Sequence, residues 1–336
     1  MRVVFTGFQT WGLVTLRALH AAGHEVALVI THPSPTDEHA QHFNESVAKF
    51  AEQRGLPVVI CSAVSADVVR RVESLEPDVI VSSNWRRLLP SLLLRSAKHG
   101  GINIHRSMLP RYAGVAPINW AVANGETKSG VTIHMMTDEF DMGDIVVQEA
   151  LPIGPAETAT DIFHKTTPIV ERLVVEALTR LDSGTVQLIK QDAAQAEFFH
   201  PRGDKELRID WAKTNVEIYN LIRAQSDPFA NAFTSFEGKR LKIKTAALPD
   251  RRYRGTPGRV CERLPDGGVI VICGGGSPRG QGLILKTVQL EDRPACNADK
   301  AFPRMGCYLD ERPLAAVAAA RNEASIVSGS SLVSLF

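Results

Sequence analysis

Over its first hundred residues the chain repeats one unit: a short, almost wholly apolar run followed by a stretch of helical character. The apolar runs fall at residues 2–5, 26–30, 57–60, 78–81 and 102–104, and the helical stretches at 13–22, 46–54 and 66–75. Gly23 and Gly55 close the first two helical stretches. Runs this short and this apolar are strands covered on both faces. Their alternation with helices predicts an α/β fold built on a mostly parallel sheet.

The second half has another rhythm. Ile162, Phe163, Ile169, Leu173, Val174 and Leu178 recur at helical spacing, and Thr158 with Asp161 forms a capping box, so residues 158–181 are predicted as one long helix. Pro168 lies inside it and predicts a kink or break near Thr167. Beyond Ser183, residues 186–189 are predicted as a strand, 192–205 as a polar linker and 215–224 as a helix. Short β-type runs follow at 232–236, 241–245, 258–263, 269–273 and 283–290, separated by Gly, Pro and Asp, which predicts a small β-barrel or open sheet. An alanine-rich stretch at 314–322 is predicted as a helix before a tail. The expected division is a catalytic domain over residues 1–200, a smaller β domain over 205–310 and a helical or loose tail over 311–336.

Charge excludes little but directs attention. With 38 basic and 37 acidic side chains, nothing global draws the chain to nucleic acid or to a membrane surface. The five cysteines are odd in number and never form a C-x-x-C pair, which argues for free thiols and against a cysteine-rich metal site. No apolar window reaches the eighteen or so residues of a membrane span, and the N-terminus lacks the marks of a signal peptide. A cytoplasmic protein without a metal is the expectation. His32, His39 and His42, near Asp37 and Glu38, are read as a polar loop, and the glycine-rich run from Gly274 lacks the ending of a phosphate loop.

The chemistry concentrates in residues 103–144, NIHRSMLPRYAGVAPINWAVANGETKSGVTIHMMTDEFDMGD. Asn103 and His105 stand two apart on a strand, so both side chains project from one face at the carboxyl end of the sheet. Asp141 follows a predicted strand over 131–136, in a tight Asp-Met-Gly-Asp turn. An amide, an imidazole and a carboxylate suit acyl transfer to an amine. The amide donates to a tetrahedral oxyanion, the imidazole moves a proton, and the carboxylate orients the imidazole. Taken singly, each motif is equally a structural hydrogen-bonding pair or a turn.

NIHRSMLPRYAGVAPINWAVANGE followed by GVTIHMMTDEFDMGDIV resembles the signature of the 10-formyltetrahydrofolate-dependent formyltransferases. That resemblance implies a Rossmann-like catalytic domain with Asn103, His105 and Asp141 as catalytic trio and 10-formyltetrahydrofolate as co-substrate. It implies that Trp85, Arg86, Arg87 and Leu88, after Asn84, hold the pterin ring against Met136, Thr137 and Asp138. The later segment DPFANAFTSFEGKRLKI resembles the C-terminal, OB-like barrel of the methionyl-tRNA subgroup. One departure is Ala113, which stands where many relatives have arginine.

The acceptor divides the family. In the methionyl-tRNA enzymes the loop after the second strand is long and basic, whereas residues 31–47 here hold three acids and neither lysine nor arginine. The entry turn GFQTWG is more similar to siderophore hydroxyornithine formyltransferases. A small-molecule amine is therefore expected, with Phe8, Gln9 and Trp11 near it; tRNA, and hydrolysis to formate, are the alternatives. A basic group at Lys239, Arg240, Lys242, Lys244, Arg251, Arg252 and Arg254 is the surface a tRNA would use.

Overall fold

The computed structural model describes residues 1–34, 45–274, 281–291 and 293–310. His39 and His42 with their neighbouring acids, the glycine-rich run beyond Gly274, the predicted helix at 314–322 and the tail lie outside the described residues. Two compact units are present. One holds residues 1–202 and 228–230, the other residues 203–227 and 231 onward.

The first unit is a seven-stranded sheet. Strands β1 (Arg2–Gly7), β2 (Glu25–Thr31), β3 (Val58–Ile60), β4 (Val79–Ser83) and β5 (Gly101–His105) run parallel in the order 3-2-1-4-5. The two-residue β6 (Ala113–Gly114) stands apart, while β7 (Lys128–Met135) and β8 (Ile145–Pro152) extend the sheet antiparallel beyond β5. Helices α1 (Gln9–Ala21), α2 (Val47–Gln53), α3 (Ala66–Glu73), α4 (Ser91–Arg95), α5 (Pro117–Ala123) and α6 (Ala159–Asp182) complete the unit.

Strand alternation sorts the apolar runs into two cores. Val3, Phe5, Val79, Val81, Ile102 and Ile104 pack with residues of α1 and α6, whereas Val4, Ile80, Leu28 and Ile30 pack with those of α3 and α4. The sheet is thus covered on both faces, as its apolar runs demand.

Two expectations need correction. Residues 186–189 form no strand: Val186 packs on the core, but only Ile189 bridges to Ile145 and Leu188 and Ile189 are exposed, so the run lacks a partner strand. Pro168 does not break α6, which is continuous over 24 residues. The hydroxyls of Thr166 and Thr167 both donate to the Phe163 carbonyl, and the packing of α6 on α1, β7 and β8 holds the helix together.

In the second unit, helix α7 (Asn215–Ala224) accompanies an antiparallel sheet with path β10 (Ala232–Phe236), β11 (Lys239–Ala247), β14 (Gln281–Leu290), β13 (Val269–Cys273) and β12 (Val260–Arg263). A short β15 (Cys296–Asn297) adds to β14. No ladder joins β10 to β12 among the described residues, so the sheet is an open one. Among the described residues no helix is long and apolar enough to cross a membrane.

Candidate active site

A cleft of about 700 Å³ opens at the carboxyl ends of β4 and β5, beside the point where the strand order reverses between β1 and β4. β5 ends in Asn103-Ile104-His105: Ile104 enters the core, and Asn103 and His105 turn to the cleft. β7 places His134 directly opposite Asn103.

The chain leaving β7 folds back through a turn closed by the Met135 N–H on the Asp144 carbonyl, 2.8 Å. Gly143 makes this turn possible, because a Cβ there would lie 1.8 Å from the Met135 carbonyl oxygen. Gln191 donates to the carbonyls of Asp141 (2.8 Å) and Gly143 (2.7 Å), fastening the turn from behind. Asp141 sits in it with φ 57°, a left-handed conformation that a short polar residue tolerates best.

The Asp141 carboxylate is the hub. Oδ2 accepts the Gly114 N–H at 2.8 Å and lies 3.6 Å from His105 Nδ1. Oδ1 lies 3.4 Å from Asn103 Nδ2 and 3.5 Å from His134 Nε2. Burial alone would push this carboxyl up, but the His105 ring, then His134 and the Gly114 N–H, outweigh it. They hold the group well below the usual carboxylate range. The linkage sign follows: ionised Asp141 stabilises the fold above about pH 4, its ordinary value, and that contribution fades as pH falls through the lower folded value. Asp141→Asn is therefore expected to lose stability at neutral pH relative to the wild type, with the two converging in strong acid. Urea titrations at several pH values measure this, and a gap that stays constant with pH would contradict the assignment.

His105 is 7% exposed, and its Nε2 lies 2.8 Å from the Tyr112 carbonyl. A carbonyl can only accept, so Nε2 carries a hydrogen and Nδ1 is the nitrogen that faces Asp141. Tyr112 is held in turn. Its ring stacks on Phe199 at 4.7 Å and its hydroxyl donates to Glu126 at 2.9 Å. β6 pairs with β9 (Phe198–Phe199), and the Ala113 N–H donates to the Glu197 carbonyl. Ala113, at the position where relatives have arginine, is wholly buried.

Of the expected pterin residues, Trp85, Arg86, Arg87, Leu88, Met136 and Thr137 line the cleft. Asp138 does not line it; it accepts a hydrogen bond from Ser91 at the start of α4. Trp85 stacks on His32 at 3.9 Å. His32 Nδ1 donates to the Cys61 carbonyl at 3.1 Å, so its Nε2 accepts the Arg86 N–H at 3.3 Å. Burial and the charges of Arg86 and Arg87 lower the His32 pKa, which suits this acceptor role.

The residues expected on the acceptor side divide. Trp11 lines the cleft, whereas Phe8 and Gln9 are 4% and 5% exposed and do not. They support the wall from beneath: Arg86 lies over the Phe8 ring at 4.8 Å and donates to Gln9 Oε1 at 3.1 Å. Beside Trp11 is Arg106, whose guanidinium is flanked by the Trp11 and Phe163 rings at 5.0 and 4.7 Å; burial lowers its pKa to about 9.

Sequence reasoning missed His134, Tyr112 and Gln191. His134 had a signal, since Thr132 and His134 alternate with Val131, Ile133 and Met135 and mark a polar face on an otherwise apolar strand. Tyr112 acts through its backbone carbonyl and Gln191 lies 50 residues from its partner, so neither leaves a local pattern.

Comparison with known proteins adds the following. Residues 1–178 match the family described as "Formyl transferase", and residues 203–305 match "Formyl transferase, C-terminal domain". A methionyl-tRNA formyltransferase of Anaeromyxobacter dehalogenans is 36% identical over 306 residues, covering 89% of this chain and 95% of that one. One of Acidobacterium capsulatum is 37% identical over 296 residues, covering 87% and 93%. Among solved structures, an N-formyltransferase from Helicobacter canadensis, in complex with folinic acid and dTDP-3-aminofucose, aligns with TM-score 0.62 at 21% identity. It covers 84% of this chain and 98% of that one, a likeness of fold alone.

Proposed function

The chain belongs to the formyl transferase family, and on that premise we propose that it moves the formyl group of 10-formyltetrahydrofolate to the nitrogen of a small-molecule amine or hydroxylamine. The acceptor is an N5-hydroxyornithine-type side chain or an amino-sugar nucleotide. Trp85, Arg86, Arg87, Leu88, Met136 and Thr137 form the slot for the flat pterin, which places the formyl carbon before Asn103 and His105.

In the reaction the amine lone pair forms a bond to the formyl carbon and the carbonyl electrons move to oxygen. The His105 Nδ1 takes a proton from the nitrogen, where it meets the Asp141 carboxylate 3.6 Å away. Collapse re-forms the carbonyl and breaks the bond to the folate nitrogen, which leaves with that proton. Proton transfer of this kind is worth about a hundred- to ten-thousandfold in rate.

The choice of a small acceptor is carried by the charge of residues 31–47: Asp37, Glu38 and Glu45, with no lysine or arginine. A segment that has to approach phosphates gains affinity from each cation it supplies, and this one supplies none. Initiator methionyl-tRNA is the second reading, favoured by the names of relatives 36–37% identical along nearly their whole length.

An acceptor panel decides between them. With 10-formyltetrahydrofolate present, N5-hydroxyornithine, ornithine, amino-sugar nucleotides, charged initiator tRNA and a blank are compared by tetrahydrofolate release and product mass. Formylation of a small amine is the expected result. Turnover only with the tRNA would overturn the small-acceptor reading, and formate release in the blank would identify a hydrolase.

A further inference from the structure

Arg106 follows His105 directly, but its side chain packs among residues of α1 and α6, on the side of the sheet that Ile104 faces. It is 6% exposed. The rings of Trp11 and Phe163 flank its guanidinium, and Nη1 donates to the Thr166 hydroxyl and, at 3.5 Å, to the Phe163 carbonyl. Nη2 is buried and has no hydrogen-bond partner among the described residues. The charge that partly offsets this burial is that of Glu171, an exposed residue of α6 that forms no ion pair with Arg106 among the described residues. A buried cation is costly to keep unless an anion meets it. A clamp of cation between rings would account for the flanking aromatics, but not for an idle charged donor. Arg106 also lines the cleft, with Trp11 and Ile104, beside Asn103 and His105.

We propose that Arg106 anchors the acceptor by a carboxylate, so that the formylated nitrogen belongs to the side chain of an amino acid and not to an amino-sugar nucleotide. This rests on the small-amine reading above and narrows it. Trp11 is half-buried, lies against the guanidinium and lines the cleft, and a turn of its ring opens Nη2 to the ligand. The planar guanidinium edge matches a carboxylate, and in a site closed to water the pair is not screened. One cation balances one carboxylate, whereas a diphosphate would bring more negative charge than Arg106 offsets. The placement also selects which nitrogen reacts. Arg106 and His105 are neighbours in the chain but face opposite sides of β5, so the acceptor must cross the strand end between its carboxylate and its amine. An α-amine, next to its own carboxylate, cannot do this; a nitrogen at the far end of a flexible side chain can.

N5-hydroxyornithine and its carboxamide differ in one charge, and comparing them as acceptors tests the anchor. The wild type is expected to show a KM about ten- to a hundredfold lower for the carboxylate, the size of a charge-assisted hydrogen bond. The two kcat values are expected to agree within about threefold, because the anchor is remote from the reacting atoms. In Arg106→Met, whose side chain fills the space between the rings without a charge, the two acceptors are expected to share one KM, with the KM for 10-formyltetrahydrofolate unchanged. Arg106→Lys is expected to recover part of the preference. Equal KM values in the wild type would overturn the proposal with no need for a variant that must fold. A preference that survives in Arg106→Met would also overturn it, as would a raised folate KM there, which would assign Arg106 to the folate. Turnover of an amino-sugar nucleotide but of neither hydroxyornithine compound would overturn the carboxylate anchor and leave the small-amine reading standing. Turnover of none of the three would overturn that reading, and the proposal with it.

Discussion

His105→Ala is expected to lower kcat by about a hundred- to ten-thousandfold while leaving the fold intact, because the ring serves the reaction and not the core. Packing at the end of β5 comes from Ile102 and Ile104, which lie in the apolar cluster shared with α1 and α6. His105 contributes a hydrogen bond to the Tyr112 carbonyl, about 1 kcal/mol, and its interaction with the buried Asp141 carboxylate, which His134 and the Gly114 N–H continue to hold in the variant. Without the ring, the proton from the attacking nitrogen has only water to receive it. Single-turnover measurements are the appropriate check, since they read the chemical step free of product release. Residual activity within about tenfold of the wild type would remove His105 from the proton path. Loss of the cooperative thermal transition would show that the ring is needed for folding.

Gly143→Ala is expected to damage structure and activity together, at a cost of at least about 3 kcal/mol. The added methyl would lie 1.8 Å from the Met135 carbonyl oxygen and 2.7 Å from its carbon, both backbone atoms that cannot swing aside. Relief requires the turn to open, and Asp141, the hub of the site, lies two residues away in that turn. Gly184 supplies the contrast. Its φ is 67° but nothing lies within 4 Å of where a Cβ would sit, so Gly184→Ala should cost only the strain of a left-handed alanine, about 1–2 kcal/mol, and leave kcat unchanged. Denaturant midpoints and kcat for both variants make the comparison. A Gly143→Ala protein with a wild-type midpoint and kcat would show that the turn tolerates more than its geometry allows.

The parallel half of the sheet was legible because Arg2–Gly7, Glu25–Thr31 and Val79–Ser83 are buried on both faces, so hydrophobicity alone marks them. β8 was not legible. Its second half, Gln148 to Pro152, carries the polar and exposed positions of an edge strand and blurs the signal. Residues 186–189 err in the opposite direction, since Val186, Leu188 and Ile189 have strand propensity but no neighbour to pair with beyond Ile145. Pro168 shows tertiary packing overriding a local rule.

Within the site, Asn103, His105 and Asp141 were readable from their spacing and from the resemblance, and the structure brings the three together around one carboxylate. The likeness of the entry turn draws attention to Phe8 and Gln9, and their burial sets both behind the wall of the cleft.

The braces of the site arrive late in the chain. Gln191 grips the Asp141 turn, and Glu197 and Phe199 receive the N–H groups of Ala113 and Val115, beside the Tyr112 carbonyl that holds His105. All three lie beyond residue 178, where the match to the catalytic family ends. A ribosome that has made the whole sheet and every reacting side chain has therefore not yet made an enzyme; some twenty further residues must emerge and dock.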